Sequence, residues 1–281
     1  MEREDGTVAT DYPGLLVERQ GQVATVRIRP ISELSREEAA RADVHWELGR
    51  VFSDLRGDNS VRVIVLTGGK DGLFLTPPLT KVYASDEGRK WRNEPARHWK
   101  VFTGIIRCHE AMASIEKPIV ARINGDAIGF GSSLMLACDL IVARRDARIA
   151  DMHMGMAEVE PYGPPYGIVP GDGGLSLVPL YLTPAKAKEY LMLAKEYSGE
   201  ELATMGVINY AVAPQELDRV VDDIVSRLLK RSAFALAWTK RVANRHIVEQ
   251  LNRTLDAGAA YELVNFHQIE KMEWVDRKNL D

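Results

Sequence analysis

Apolar residues along this chain recur with two periods, and the switches between them predict its elements. Leu15-Leu16-Val17-Glu18 and Val23-Ala24-Thr25-Val26-Arg27-Ile28 alternate on either side of a Gln20-Gly21 turn, which predicts two paired strands. Val61-Arg62-Val63-Ile64-Val65-Leu66-Thr67-Gly68 and Ile119 to Ile123 are nearly continuous apolar runs, the mark of strands buried on both faces. Between them the spacing becomes helical. Ser35 with Glu38 forms a capping-box start for one helix carrying His45, Leu48, Val51, Phe52 and Leu55 on a single face. Trp99 to Ser114, Pro184 to Leu193, Ser198 to Met205 and Leu217 to Leu229 read as further helices. From Phe234 onward the chain reads as almost wholly helical, with Leu236, Val242, Ile247, Leu251, Leu255, Ala259 and Leu263 forming an apolar stripe. Leu73 to Pro95 and residues 152–173 read as long loops.

These elements divide the chain into a flexible lead over residues 1–13, an α/β core over 14–215 and a helical region over 216–281. No exact short repeat or low-complexity tract interrupts them.

The segment richest in chemistry runs from Lys117 to Asp139, KPIVARINGDAIGFGSSLMLACD. It predicts a buried strand, an Asn124-Gly125 turn, a glycine-spaced loop through Gly129-Phe130-Gly131, and a helix opening on Ser132-Ser133. A glycine loop feeding a helix presents free backbone N–H groups at the positive end of the helix dipole. Such a place binds an anion or an oxyanion as it forms. The loop is neither a phosphate loop nor GxGxxG, and no nucleophilic Ser–His pairing accompanies it.

This segment resembles the core motif of the crotonase (enoyl-CoA hydratase/isomerase) superfamily. The similarity continues through Leu140-Ile141-Val142-Ala143, Ala147-Arg148-Ile149-Ala150, the stretch from Gly167 to Gly174 (GIVPGDGG), and Gly206-Val207-Ile208-Asn209. The resemblance implies a spiral of ββα units whose helical C-terminal region assembles trimers or hexamers. It implies an acyl-CoA substrate, with coenzyme A as part of that substrate and no metal or other cofactor. It also implies two backbone N–H groups that hold a thioester oxygen, which fall at Phe130 and Thr76. Gly129, Gly131, Ser133 and Gly171 would then border the substrate.

Several positions depart from the family pattern. The usual loop Phe-x-Ala-Gly-x-Asp is replaced by Phe74-Leu75-Thr76-Pro77-Pro78-Leu79, and the two prolines lack backbone donors. Weakened coenzyme A binding is the expected result. The two water-holding glutamates of the hydratases fall at Ser133 and His153, so both are absent. Asp172, in Pro170-Gly171-Asp172-Gly173-Gly174, is the best replacement acid, with His153 assisting beside Asp151 or Asp172. His45 is a further candidate, as are Glu158 and Glu160 in the long loop Met154 to Tyr166. GIVPGDG and His45 are also similar to the β-diketone hydrolase branch typified by 6-oxocamphor hydrolase.

Three readings follow: a lyase or isomerase acting on a bulky or cyclic acyl-CoA, a CoA-independent hydrolase of a cyclic β-diketone, and a non-catalytic relative that binds acyl-CoA or a protein partner. Composition narrows the field around them. With 46% hydrophobic and 27% charged residues and a net charge of −4, the 281-residue chain has no nucleic-acid footprint. No apolar run is long enough for a membrane span. The acidic start MEREDGTVATDYPG is unlike a signal or transit peptide, and cytoplasmic residence is expected. The two cysteines, Cys108 and Cys138, have no metal-ligand spacing and read as free thiols, Cys138 in the core.

Overall fold

The structure, a computed structural model, describes residues 12–69, 72, 74, 94–154 and 167–271. Its main sheet has six strands: β1 (Leu15–Gln20), β2 (Val23–Ile28), β3 (Val63–Thr67), β4 (Ile119–Ile123), β6 (Leu140–Arg144) and β9 (Tyr210–Val212), in that spatial order. Only the β1–β2 hairpin is antiparallel; every later neighbour is parallel. The long apolar runs occupy the middle of this sheet because both faces there are covered.

Alternation along β3 sorts its residues between two cores. Val63 and Val65, with Val120 and Val142, pack under Leu217, Val221, Ile224 and Val225 of a single helix, Leu217–Leu229. Ile64 and Leu66 face the larger core with Val17, Val26, Ile119 and Ile123. There they meet Leu48, Val51, Phe52 and Leu55 of the helix Val44–Gly57, and Ile105, Cys108 and Met112 of the helix Pro95–Ser114. Tyr12 is already buried in this core and hydrogen-bonds Asp54. Both cysteines are buried and free.

Among the described residues the helices, in chain order, are α1 (Arg36–Arg41), α2 (Val44–Gly57), α3 (Pro95–Ser114), α4 (Phe130–Leu136), α5 (Gly174–Tyr181), α6 (Pro184–Met192), α7 (Gly199–Thr204), α8 (Leu217–Leu229), α9 (Ala233–Ala243) and α10 (Arg245–Lys271). The capping box of Ser35 and Glu38 forms, but the helix it opens does not reach His45. Ala42 turns extended, and Asp43 caps a new helix by accepting the Trp46 N–H at 3.1 Å. Glu47 accepts the N–H groups of Gly14 and Asp43, which anchors the new helix to the strand before it. The core helix begins at Phe130 rather than at Ser132. A short helix, α5, which the apolar spacing did not indicate, follows Gly173.

The C-terminal helices also differ from expectation. Leu251, Leu255 and Ala259 of α10 do not form an outward stripe; they are buried in the chain's own core, beside Ile247 and Leu263. The outward apolar residues include one of that stripe, Val242, with Phe234 and Trp238 on α9 and Tyr261 and Val264 on α10. Among the described residues no helix is long and apolar enough to cross a membrane.

A buried ion pair ties α9 to the sheet. Lys240 Nζ lies 2.7 Å from Asp139 Oδ2 and donates to the Lys117 carbonyl at 3.0 Å. Asp139 in turn accepts the Ile119 N–H at 2.7 Å, at the start of β4. Removing one partner strands the other charge. Lys240→Met should therefore lower stability by about 3–5 kcal/mol, and Lys240→Met with Asp139→Asn by clearly less, in chemical denaturation. Equal losses in the single and double variants would refute the assignment.

Candidate active site

A second, small sheet builds the site. β5 (Ala127–Ile128) runs parallel to β7 (Arg148–Ala150), with Ile128 beside Ala150, and β8 (Tyr197–Ser198) closes the other edge of β7. Parallel pairing sets the two C-terminal ends side by side. One end delivers the glycine loop and α4; the other delivers Asp151, Met152 and His153. The Gly129 N–H, donating to the Ala150 carbonyl at 2.9 Å, locks the two exits together.

Gly129 has φ 61° and ψ −124°, a conformation essentially closed to other residues. Phe130 is then the first residue of α4, so its N–H has no partner one turn back within the helix. The Phe130 ring lies 4.3 Å from the ring of His45 and meets His109 edge-on at 5.9 Å. His45 therefore faces the site from α2 and His109 from α3. Burial holds both imidazoles below their ordinary pKa, which favours the neutral rings.

His153 is held at both nitrogens. Asp151 Oδ1 accepts its ring Nδ1–H at 2.7 Å and its backbone N–H at 3.2 Å. Met152 between them adopts φ 66°, left-handed for a buried non-glycine residue, and this reversal brings the pair together. The other nitrogen, Nε2, faces Asp172 Oδ2 at 3.4 Å and Glu262 Oε1 at 3.9 Å. Ser133 Oγ donates to Asp172 Oδ1 at 3.0 Å, which fixes that carboxylate and leaves Oδ2 toward the histidine. His153, Asp172 and Glu262 are only 4–5% exposed.

Three glycines make this crowding possible. A Cβ on Gly171 would lie 2.3 Å from the Gly258 carbonyl oxygen of α10 and 2.8 Å from Glu262 Cβ. One on Gly173 would lie 2.3 Å from His109 Nε2, and one on Gly174 would lie 2.1 Å from Asp151 Oδ2. The turn that carries Asp172 thus slots between α3, α10 and the Asp151–His153 step. Gly171 serves this backbone approach.

Charge separates the roles of these groups. Burial opposes a charged His153, but Asp172 and Asp151 outweigh it and hold the imidazole well above its ordinary pKa. Burial raises Asp172, opposed by His153, and raises Glu262 well above the carboxylate range. The arrangement is an imidazolium beside a carboxylate that is a stronger base than usual, with a neutral carboxylic acid in reach. It can move a proton in either direction. Asp151, His153 and Asp172 also offer ligand atoms within 4.8 Å of one another, a group able to hold a metal ion.

The structure therefore gathers Asp172, His153, Ser133, Phe130 and His45 in one place. Thr76, Glu158 and Glu160 lie outside the described residues, as do Pro77 and Pro78. Glu262 and His109 were not among the sequence candidates. Glu262 carries a readable signal: it stands on the same helical face as Leu251, Leu255 and Ala259, an acid on an apolar stripe. His109 carries none beyond its place on an apolar helix face.

Fold and site together define a crotonase-type enzyme: parallel-sheet turns, a glycine loop opening the core helix, and acid/base groups at the same strand ends. Residues 23–275 match the family model described as enoyl-CoA hydratase/isomerase, and the chain belongs to that family. It is 30% identical to a carnitinyl-CoA dehydratase of Citrobacter koseri over 82% of this chain and 84% of that protein. It is 27% identical to a crotonyl-CoA hydratase of Syntrophomonas wolfei over 88% of each. Among solved structures it resembles an enoyl-CoA hydratase/isomerase from Mycobacterium paratuberculosis, with TM-score 0.72, 23% identity and coverage of 94% of this chain and 100% of that one. It also resembles a β-diketone hydrolase from Anabaena sp. PCC 7120 bound to (S)-3-oxocyclohexyl acetic acid, with TM-score 0.76, 20% identity and coverage of 92% and 96%.

Keeping Glu262 protonated makes stability pH-dependent. Its raised folded pKa favours the folded state below the unfolded carboxyl pKa, and that contribution is lost as pH rises toward the folded value. Glu262→Gln has no proton to lose. In EDTA-containing buffer it should melt above the wild type at about pH 8, with the gain shrinking toward about pH 4.5. A constant difference across this range would contradict the protonated assignment.

Proposed function

We propose that the protein is an acyl-CoA lyase or isomerase of the enoyl-CoA hydratase/isomerase family that takes a bulky or cyclic acyl group. The observation that carries this reading is the oriented His153, with Asp151 on one nitrogen and Asp172 facing the other, beside the N-terminus of α4. Relatives at 27–30% identity act on crotonyl-CoA and carnitinyl-CoA.

In this reading the thioester oxygen accepts the Phe130 N–H, and the Thr76 N–H supplies the second donor. Charge that develops on that oxygen as an enolate forms is stabilised by the helix N-terminus. Asp172 takes a proton from water or from the α-carbon, and the His153 imidazolium returns one to the opposite position. By the family resemblance the hydratases' two glutamates fall at Ser133 and His153, and Asp172, which accepts a hydrogen bond from Ser133, is the replacement acid. The Phe130 ring, walled by His45 and His109, shapes the acyl end.

GIVPGDG and the placement of His45 against Phe130 favour a second reading, CoA-independent hydrolysis of a cyclic β-diketone. There Asp172 would deprotonate a water that attacks one ketone carbon. The C–C bond breaks, its electron pair forms the enolate of the other carbonyl, and His153 protonates it. Calorimetry with coenzyme A and turnover assays on cyclic enoyl-CoAs and cyclic β-diketones separate the two. Turnover of the diketone without coenzyme A overturns the first reading, and no turnover of either class favours a non-catalytic binder.

In either enzyme Asp172→Asn should lower kcat by about 10²–10⁴-fold while circular dichroism shows the fold intact. Near-normal turnover in Asp172→Asn, with a large loss in Glu158→Gln or Glu160→Gln, would move the acid/base role to the loop before Gly167.

A further inference from the structure

We infer that His109 Nε2 accepts a hydrogen bond from a hydroxyl group on the substrate's acyl portion, at a carbon away from the reacting α- and β-positions. The substrate class narrows to hydroxylated, ring-bearing acyl thioesters. The inference rests on the acyl-CoA reading of this site and deepens it.

His109 lies on α3 and is 0% exposed. Its Nδ1 stands 2.9 Å from the Ile105 carbonyl oxygen, one turn earlier. A carbonyl only accepts, so Nδ1 carries the proton of the neutral ring and Nε2 presents a bare lone pair. Among the described residues Nε2 has no hydrogen-bond partner, and it is shut off from solvent. A buried acceptor left unpaired costs free energy, and native structures hold few of them.

The ring is held from several sides. Gly104, earlier on α3, seats that helix against α2: a Cβ there would lie 2.6 Å from the Trp46 backbone nitrogen. Phe130 meets the imidazole edge-on, with ring centroids 5.9 Å apart. A Cβ on Gly173 would lie 2.3 Å from Nε2, 2.7 Å from Cε1 and 3.1 Å from Cδ2. The two ring carbons are nearly as close as the nitrogen, so Gly173 stands over the face of the ring. The lone pair lies in the ring plane, and Gly173 does not cover it. Phe130 is the donor residue of the proposed reaction, and Gly173 follows Asp172 in the chain. The bare nitrogen is therefore beside the reacting groups without being paired to them. Asp172 Oδ1 accepts from Ser133, and its Oδ2 faces His153.

Charge selects the partner. Burial favours the neutral imidazole, and the Asp172 carboxylate acts on it. A second anion would find no donor at Nε2, and an alkyl group would leave the lone pair unpaired. A hydroxyl donates to it and adds no charge. Asp172 and His153 serve the reacting carbons, so the hydroxyl that meets His109 belongs farther along the acyl group, where the Phe130 ring shapes the site.

Calorimetry on the full chain compares cyclohexanecarbonyl-CoA with its isomers hydroxylated beyond the β-carbon. The wild type should bind one hydroxylated isomer at least about tenfold more tightly than the unsubstituted thioester, which leaves Nε2 buried and unpaired. His109→Phe should lose that preference. His109→Gln, whose side-chain carbonyl can reach the Nε2 position, should recover part of it. A residue that merely fills space would change all the affinities together and leave their ratio as it was. Circular dichroism shows which variants are folded. Nitrogen NMR of the wild type needs no variant: the Nε2 resonance should move upfield with the preferred hydroxylated isomer and not with the unsubstituted thioester. Binding with no hydroxyl preference, or the same preference in folded His109→Phe, overturns the inference and leaves the acyl-CoA reading standing. Failure of every one of these thioesters to bind overturns that reading and the inference together.

Discussion

Two residues of parallel pairing, Ala127–Ile128 against Ile149–Ala150, set the glycine loop and the Asp151–His153 step side by side. The pairing is short, yet it decides where two chain exits lie. One exit turns through Gly129 into α4 and offers backbone N–H groups. The other delivers Asp151 and His153. Neither segment could supply both an oxyanion donor and an acid/base pair alone. The main sheet supports the arrangement indirectly: Asn124, at the end of β4, accepts the Gly68 N–H at 3.0 Å and donates to the Gly69 carbonyl at 2.7 Å. That side chain ties the end of β3 to the segment leading into β5.

The remaining groups arrive through close backbone approach. Gly171, Gly173 and Gly174 let one turn pass between three elements with no side chain in the way. Asp172 rides on that turn, and α10 is drawn near enough for Glu262 to join. The C-terminal helix is therefore part of the site as well as of the core. Desolvation follows from the same crowding. It raises Glu262 and Asp172 and lowers His45 and His109, so proton states within a few ångströms differ.

Much of this was legible in the sequence. The buried strands and the glycine loop follow from composition and spacing, which are local, while the acid in GIVPGDG was singled out by the resemblance to the crotonase family. Asp151 and Asp172 were each read as possible partners of His153, and the structure shows both at once. What was not legible depended on distance along the chain. A capping box predicts where a helix starts and says nothing of Asp43 opening a second one eight residues later. The stripe Leu251, Leu255 and Ala259 has the periodicity of any buried face; only the tertiary packing shows that it faces this chain's own core. Glu262 and His109 come from helices far from the motif, and burial rather than neighbourhood in sequence gives them their chemistry.

The Ile168 N–H donates to the His153 carbonyl at 2.7 Å, and Gly167, with φ 76°, lies against Met154. The chain thus leaves the site and returns to it at nearly the same point. For a flexible closed loop, each doubling of length costs only about 0.6 kcal/mol. The span between these two anchors can lengthen, shorten or change composition across evolution while His153 and Asp172 stay fixed. With the two anchors already held together by the Ile168–His153 hydrogen bond, sequence between them can vary while the chemistry they carry stays fixed.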